Sequence, residues 1–229
     1  MNLLERLRGG LIVSVQAEAG SLLNTPETIA LLSRVAVSNG AAGVRIEGGA
    51  RIGAVRRAVD VPIVGIVKRA YPGFAPYITA SEREIAEVVA AGAEIVAFDA
   101  TGRPRPDGTR IGDVVDAIQR RGAFAMADCA TADDVTRAAA AGAAIVATTL
   151  CGYTDETQGA ALPALDVVRI AKASGAFAIC EGGVASPGDL EEAFAAGADA
   201  VVVGTAITNI DVLVRRFVAA TPSGASHDG

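Results

Sequence analysis

The chain contains no tryptophan, one histidine and three cysteines, and aromatic residues fill only 4% of its 229 positions. Each shortage closes off a kind of chemistry. Without broad aromatic platforms, a ligand is not held here by stacking bases or sugars on flat side chains. The single histidine, His227, falls in "TPSGASHDG", a C-terminal stretch (221–229) whose composition predicts a disordered tail. That argues against a Ser-His-Asp triad, a Cys-His dyad or a histidine-rich zinc site, and leaves proton transfer to Lys, Asp, Glu or Cys. Cys129, Cys151 and Cys180 form no CxxC pair and cannot all bond to one another, which points to a reducing cytoplasm. They read as small hydrophobes, with nothing beside them to lower a thiol pKa. Positive charge is scarce as well. A net charge of −6 and a pI near 4.9 give no basic field for a nucleic acid or an anionic membrane. Neither a signal segment nor a membrane span is expected, because no apolar run is long enough.

What is present is aliphatic. Residues of the hydrophobic class make up 51% of the chain, dominated by Ala, Val, Ile and Leu. Four stretches echo one another: "SNGAAGVRIEG", "AAGAEIVAFDAT", "AAGAAIVATTL" and "AAGADAVVVGTAIT". Each closes an Ala-rich helix, turns at Gly40, Gly92, Gly142 or Gly197, and enters a β-branched run, as a left-handed glycine cap followed by a strand would. Repeated αβ modules with short loops imply parallel strands and crossover helices. The count is eight, with strands near 11–16, 42–47, 62–68, 95–100, 124–129, 145–150, 177–182 and 200–204. Ser81 with Glu84 predicts a capping box for the helix running to Ala91, and Pro187 opens another that ends near Ala196. Eight such units predict one (β/α)8 TIM barrel over residues 1–220. The rival is a doubly wound open sheet, but "SVQAEAGSLL" after the first strand is not a dinucleotide-binding turn.

In such a barrel the C-terminal strand ends build the site. Here those ends carry Ser14 and Gln16, Arg45 and Glu47, Lys68 and Arg69, Asp99 and Thr101, Asp128, Thr148 and Thr149, Glu181, and Gly204 with Thr205. The opposite mouth shows no comparable series. Lys68 and Glu181 close strands four apart in a ring of eight, so they should face each other across the pocket with Asp99 and Asp128 on the wall between. The turn "DATGRPRPDG" is either a stiff connector or a means of bringing Arg103 and Arg105 to an anion. Gly182, Gly183, Gly204 and Thr205 are candidates to cradle a phosphate with backbone amides. No acidic cluster has a spacing specific enough to claim a metal.

In order along the chain, "GLIVSVQAEA", "VGIVKRAYPG", "AFDATGRPRPDG", "AMADCAT", "TTLCGYT" and "EGGVASPGDL" with "AVVVGTAIT" resemble the N-acetylmannosamine-6-phosphate 2-epimerase family, from about Leu11 to Phe217. The resemblance implies a TIM barrel of sialic acid catabolism that needs no organic cofactor. It implies Lys68 as catalytic base and Glu181 as its acidic counterpart, with Gln16, Arg45 and Asp128 on the substrate; Asp99 and Tyr153 join them as candidates. The implied partner is an amino sugar phosphate. Two positions depart from the family's pattern: Gly183 and Asn209 stand where it usually has arginine.

Two other readings remain at this level. Lys68 could form a Schiff base, as in an aldolase on a phosphate-binding barrel. Alternatively the barrel binds a sugar phosphate without turning it over. Apolar helix stretches such as "AEVVAAGA" suit a barrel exterior or a homodimer interface equally well.

Overall fold

The eight apolar runs pair as parallel neighbours all the way round, β1 to β2 and onward until β8 returns to β1 in a closed barrel. The computed structural model describes residues 2–222. His227 and most of the expected tail lie outside that range; of the two tail residues within it, Thr221 still donates its N–H to the Val218 carbonyl (3.0 Å).

The strands are β1 Leu11–Val15, β2 Gly43–Glu47, β3 Ile63–Ile66, β4 Ile95–Asp99, β5 Phe124–Asp128, β6 Ile145–Ala147, β7 Phe177–Glu181 and β8 Ala200–Val203. A short helix α1 (Leu3–Leu7) precedes them. The crossovers are α2 Pro26–Ser38, α3 Gly49–Arg56, α4 Glu82–Ala90, α5 Ile111–Gln119, α6 Ala132–Ala140, α7 Leu165–Ala173 and α8 Pro187–Ala195. Two helices follow β8, the four-residue α9 (Thr205–Thr208) and then α10 (Ile210–Ala219). The fold is therefore the (β/α)8 barrel that the repeats predict.

Local chemistry explains the punctuation. Gly40, Gly92, Gly142 and Gly197 all take left-handed φ, from +87° to +105°, where a side chain would strain the turn from helix to strand. At the start of α4, Glu84 accepts the Ser81 and Ala80 amides (3.2 and 2.6 Å), satisfying N–H groups that the helix itself cannot. Thr131 with Asp134 and Ser186 with Asp189 cap α6 and α8 in the same way.

Strand alternation sorts the aliphatic residues into two cores. Ile12, Val64, Ile95, Met126, Ile145, Phe177 and Val202 fill the barrel, while Val13, Val44, Val96, Ala125 and Val146 face the helices. Helix α1 was not legible as an element. It lays Leu7, fully buried, against the barrel-filling cluster and closes the N-terminal mouth. Gly43 leaves room for it: a Cβ there would stand 2.8 Å from Leu7 Cδ2.

Two strand limits differ from expectation. The β3 ladder stops at Ile66, and Lys68 belongs instead to an isolated antiparallel bridge with Ile78. Strand β6 ends at Ala147, which leaves Thr148 to Leu150 in the loop.

Candidate active site

The inward register of the barrel continues past the aliphatic layers and delivers polar residues to the C-terminal mouth. A pocket of about 350 Å³ opens there, and Gln16, Arg45, Lys68, Glu181 and Tyr153 line it. So do the four expected phosphate-cradle residues, Gly182, Gly183, Gly204 and Thr205.

Arg45 organises the floor. Its side chain is 1% exposed and donates to both carboxylate oxygens of Asp128 (3.1 and 2.6 Å) and to Glu181 Oε2 (2.7 Å). Thr149, one of the polar strand-end residues, donates its hydroxyl to Asp128 (2.7 Å) and Glu181 (3.2 Å). The cluster thus binds two carboxylates to one guanidinium. Burial pushes the Glu181 carboxyl up to about 7, because Arg45 and Thr149 only partly offset desolvation and the nearby Asp128 charge. The same carboxylates hold the Arg45 guanidinium above its ordinary range against its own desolvation.

Lys68 differs from every other cation of the floor. Its surface is open to the pocket, yet desolvation and then the Arg45 charge lower its pKa, with Glu181, Glu47 and Asp128 opposing. Among the described residues its ammonium has no hydrogen bond or ion pair. The chain uses two lysines against eighteen arginines, so the choice of lysine here is itself a signal. Arginine would stay charged; lysine can be made neutral.

The loop that carries Lys68 is braced from behind. Lys68 bridges to Ile78, Arg69 N–H donates to the Tyr77 carbonyl (2.9 Å), and Thr79 N–H to the Val67 carbonyl (2.8 Å). Thr79 has φ +44°, a left-handed conformation that a β-branched residue adopts only when its surroundings enforce it. Arg105 supplies part of that enforcement, donating to the carbonyls of Thr79 (2.9 Å) and Asp99 (2.7 Å).

This settles how "DATGRPRPDG" is used locally. The Asp99 carboxylate accepts from Thr101 N–H (3.0 Å), the Thr101 hydroxyl (2.6 Å) and Arg103 (2.7 Å). Asp99 is 1% exposed and spends its carboxylate on its own loop, which it organises. Arg103 and Arg105 likewise serve the loop. Asp128 stands behind the pocket and reaches it through Arg45 and Thr149. Tyr77, missed in the sequence because it sits far along a loop, lines the pocket; desolvation and the Asp128 and Asp99 charges raise its phenol pKa.

Two buried polar atoms on the lining have no protein partner among the described residues: Gln16 Oε1 and Arg45 Nε. Such atoms are rare in folded proteins and suit a polar ligand. The thiols play no part. Cys129 and Cys180 occupy the outward register, fully buried, and desolvation raises all three, Cys151 to about 12 and Cys180 to about 11. Among the described residues no three His, Cys, Asp or Glu side chains gather as a metal site, and no helix is long and apolar enough to cross a membrane.

Residues 29–223 match the family described as "Putative N-acetylmannosamine-6-phosphate epimerase" (NanE). The chain belongs to the NanE epimerase family. A protein of Synechococcus elongatus named for the 2-epimerase activity is 46% identical over 95% of this chain and 95% of its own length. The solved N-acetylmannosamine-6-phosphate 2-epimerase of Clostridium perfringens superposes with a TM-score of 0.92 at 33% identity, covering 96% of this chain and 97% of that one. Deoxyribose phosphate aldolase from Aeropyrum pernix shares the fold alone, at 19% identity and a TM-score of 0.66 over 93% and 97% of the two chains. Both departures from the family's arginines have a local cause. Gly183 has φ +75°, and a Cβ there would lie 2.3 Å from Leu162 Cβ. Asn209 caps α10, its side-chain oxygen accepting the Val212 N–H (3.2 Å).

Proposed function

We propose that this member of the family interconverts N-acetylmannosamine 6-phosphate and N-acetylglucosamine 6-phosphate by inverting C2 through an enolate-like intermediate, in sialic acid and amino sugar catabolism in the cytoplasm. The observation that carries the reading is one pocket lined by Lys68 and Glu181, from opposite sides of the ring, with Arg45 coupled to both.

The C2 hydrogen is acidic only beside the C1 aldehyde of the open-chain sugar, where its removal gives an enolate. Lys68 takes that proton as a neutral amine, a form its partly desolvated position beside a guanidinium favours. Arg45 stabilises the oxyanion that forms at C1. Glu181 holds a proton near neutrality and delivers one at the opposite face of C2, or assists ring opening. Gln16 offers its unpaired carbonyl oxygen to a substrate N–H or hydroxyl. The amides at Gly182, Gly183, Gly204 and Thr205 take the phosphate, and Tyr153, 58% exposed at the rim, covers the sugar. Proton transfer alone completes the reaction, so the reading requires neither an organic cofactor nor a metal. A homodimer belongs to the same reading: Ile210, Val214 and Phe217 leave an apolar face on α10 exposed, Phe217 by 77%.

The experiment is turnover in D₂O. Deuterium at C2 of the product is expected, and its absence with turnover intact would exclude deprotonation. Borohydride trapping with substrate separates the aldolase alternative, since only a Schiff base at Lys68 is fixed by reduction.

A further inference from the structure

A phosphate needs a counter-charge in a chain whose net charge is −6, and the pocket-lining residues from Gly182 to Ala185 and from Gly204 to Asn209 supply no cation. Between Glu181 and α10 the pocket is lined by Gly182, Gly183, Val184, Ala185, then Gly204, Thr205, Ala206, Thr208 and Asn209. The cations that do line it are Arg45, Lys68 and Arg216. Arg45, held by Asp128 and Glu181, and Lys68 are both engaged at the reacting carbons in the proposed reading. That leaves Arg216.

Arg216 sits on α10, seven residues after Asn209. Seven residues are about two helical turns, so the two positions share a face, about 10 Å apart along the axis. Helical side chains lean toward the N-terminus, which directs Arg216 back toward Asn209 and the pocket mouth. The neighbouring Arg215 turns the other way and pairs with Glu18 in the loop after β1, fixing the rotation of α10. Among the described residues Arg216 makes no hydrogen bond or ion pair of its own. An unpartnered guanidinium therefore borders the end of the pocket where Gly183 has no room for a side chain and Asn209 is occupied as a cap.

We infer that Arg216 is the residue that recognises the substrate's phosphate in this chain, reaching from two turns along α10. This rests on the proposed epimerase reading. The fork geometry of a guanidinium suits a phosphate better than an ammonium does, so Arg216→Lys should recover only part of the function.

The test compares wild type, Arg216→Gln and Arg216→Lys on N-acetylmannosamine with and without its 6-phosphate. Arg216→Gln is expected to raise KM for the 6-phosphate by about 10-fold to 100-fold, the effect of losing a charge-assisted contact, with kcat within about twofold. KM for the unphosphorylated sugar should not move, and Arg216→Lys should fall between. An unchanged KM for the 6-phosphate, or an equal rise for both sugars, would overturn the assignment while leaving the epimerase reading intact. A second arm does not depend on turnover. The rise in melting temperature produced by N-acetylglucosamine 6-phosphate, beyond that of N-acetylglucosamine, should shrink in Arg216→Gln, with the ligand-free Tm unchanged. If wild type turns over neither sugar, the epimerase reading fails, and this increment still decides for or against Arg216: equal increments, or none in wild type, reject it.

Discussion

The two mouths of the barrel both carry charge, and they use it in opposite ways. At the N-terminal mouth, Asp199 receives Lys172 (2.6 Å), the Ala178 amide (2.9 Å) and Arg8, while Glu94 receives Arg56 (2.6 Å) and the Ile63 amide (3.0 Å). Those carboxylates are matched by neighbours, and α1 seals the end with Leu7. At the C-terminal mouth the balance is left open. Among the described residues Arg45 holds two carboxylates, the Lys68 ammonium has no partner, and Gln16 and Arg45 each keep an orphaned buried atom. Charge at a rim is therefore no mark of function; unmatched charge is.

The sharpest way to break this contrast is to change one residue at each mouth and read both rate and stability. Lys68→Met should lower kcat/KM by a factor of about 10³ or more with little change in Tm, because the ammonium stabilises nothing it touches. A variant with wild-type turnover would remove Lys68 from the chemistry. Leu7→Ala should do the reverse, costing about 2–5 kcal/mol in denaturant unfolding while kcat stays near wild type. Glu181→Gln comes next, with about a 10²-fold loss in rate and a diagnostic pH profile. In the proposed mechanism Lys68 works neutral, so activity grows as pH rises; Glu181 works protonated, so activity is lost as pH rises. Wild type should give a bell whose alkaline limb falls near pH 7, where Glu181 gives up its proton. The Gln variant should keep the acid limb and lose the alkaline decline; a decline that persists would take Glu181 out of the acid role.

Much of this was legible in the sequence for one reason: periodicity. Eight αβ repeats with four matching glycines dictate a parallel barrel, and the alternation within each run decides which residue reaches the mouth. That rule brings Lys68 and Glu181 to facing strand ends, whereas the substrate roles of Gln16 and Arg45 come from the family resemblance. Pairing was not legible, because it depends on which neighbour arrives first. Asp99 and Asp128 look alike at their strand ends, yet one is claimed by its own loop through Thr101 and Arg103, the other by Arg45 across the barrel. The opposite mouth shows no comparable series in the sequence because Arg8, Lys172 and Asp199 are scattered over 191 positions and meet only on closure of β8 against β1. Arg216 was hidden for the same reason, seven residues beyond a position that reads as a loss.

The smallest effect sharpens the comparison most, since one carboxylate at each mouth is displaced in the opposite sense. Glu181 is raised from 4.5 to about 7 by burial, so between those values the folded chain binds more protons than the unfolded one, and its contribution to stability falls as pH rises. Asp199 is lowered from 3.8: Lys172, the Ala178 amide and Arg8 together outweigh its desolvation. Its contribution is complete above the unfolded pKa and is lost as pH falls through the folded one. Asp199→Asn should therefore cost about 1–3 kcal/mol at pH 7, where the wild-type carboxylate is ionised and matched, and the difference should close on acidification below about pH 4. Urea unfolding at pH 7, 5 and 3 checks it. A penalty that stayed constant down to pH 3 would mean that Asp199 acts through shape and hydrogen bonding rather than charge. The N-terminal mouth would then no longer be the electrostatically matched counterpart of the site.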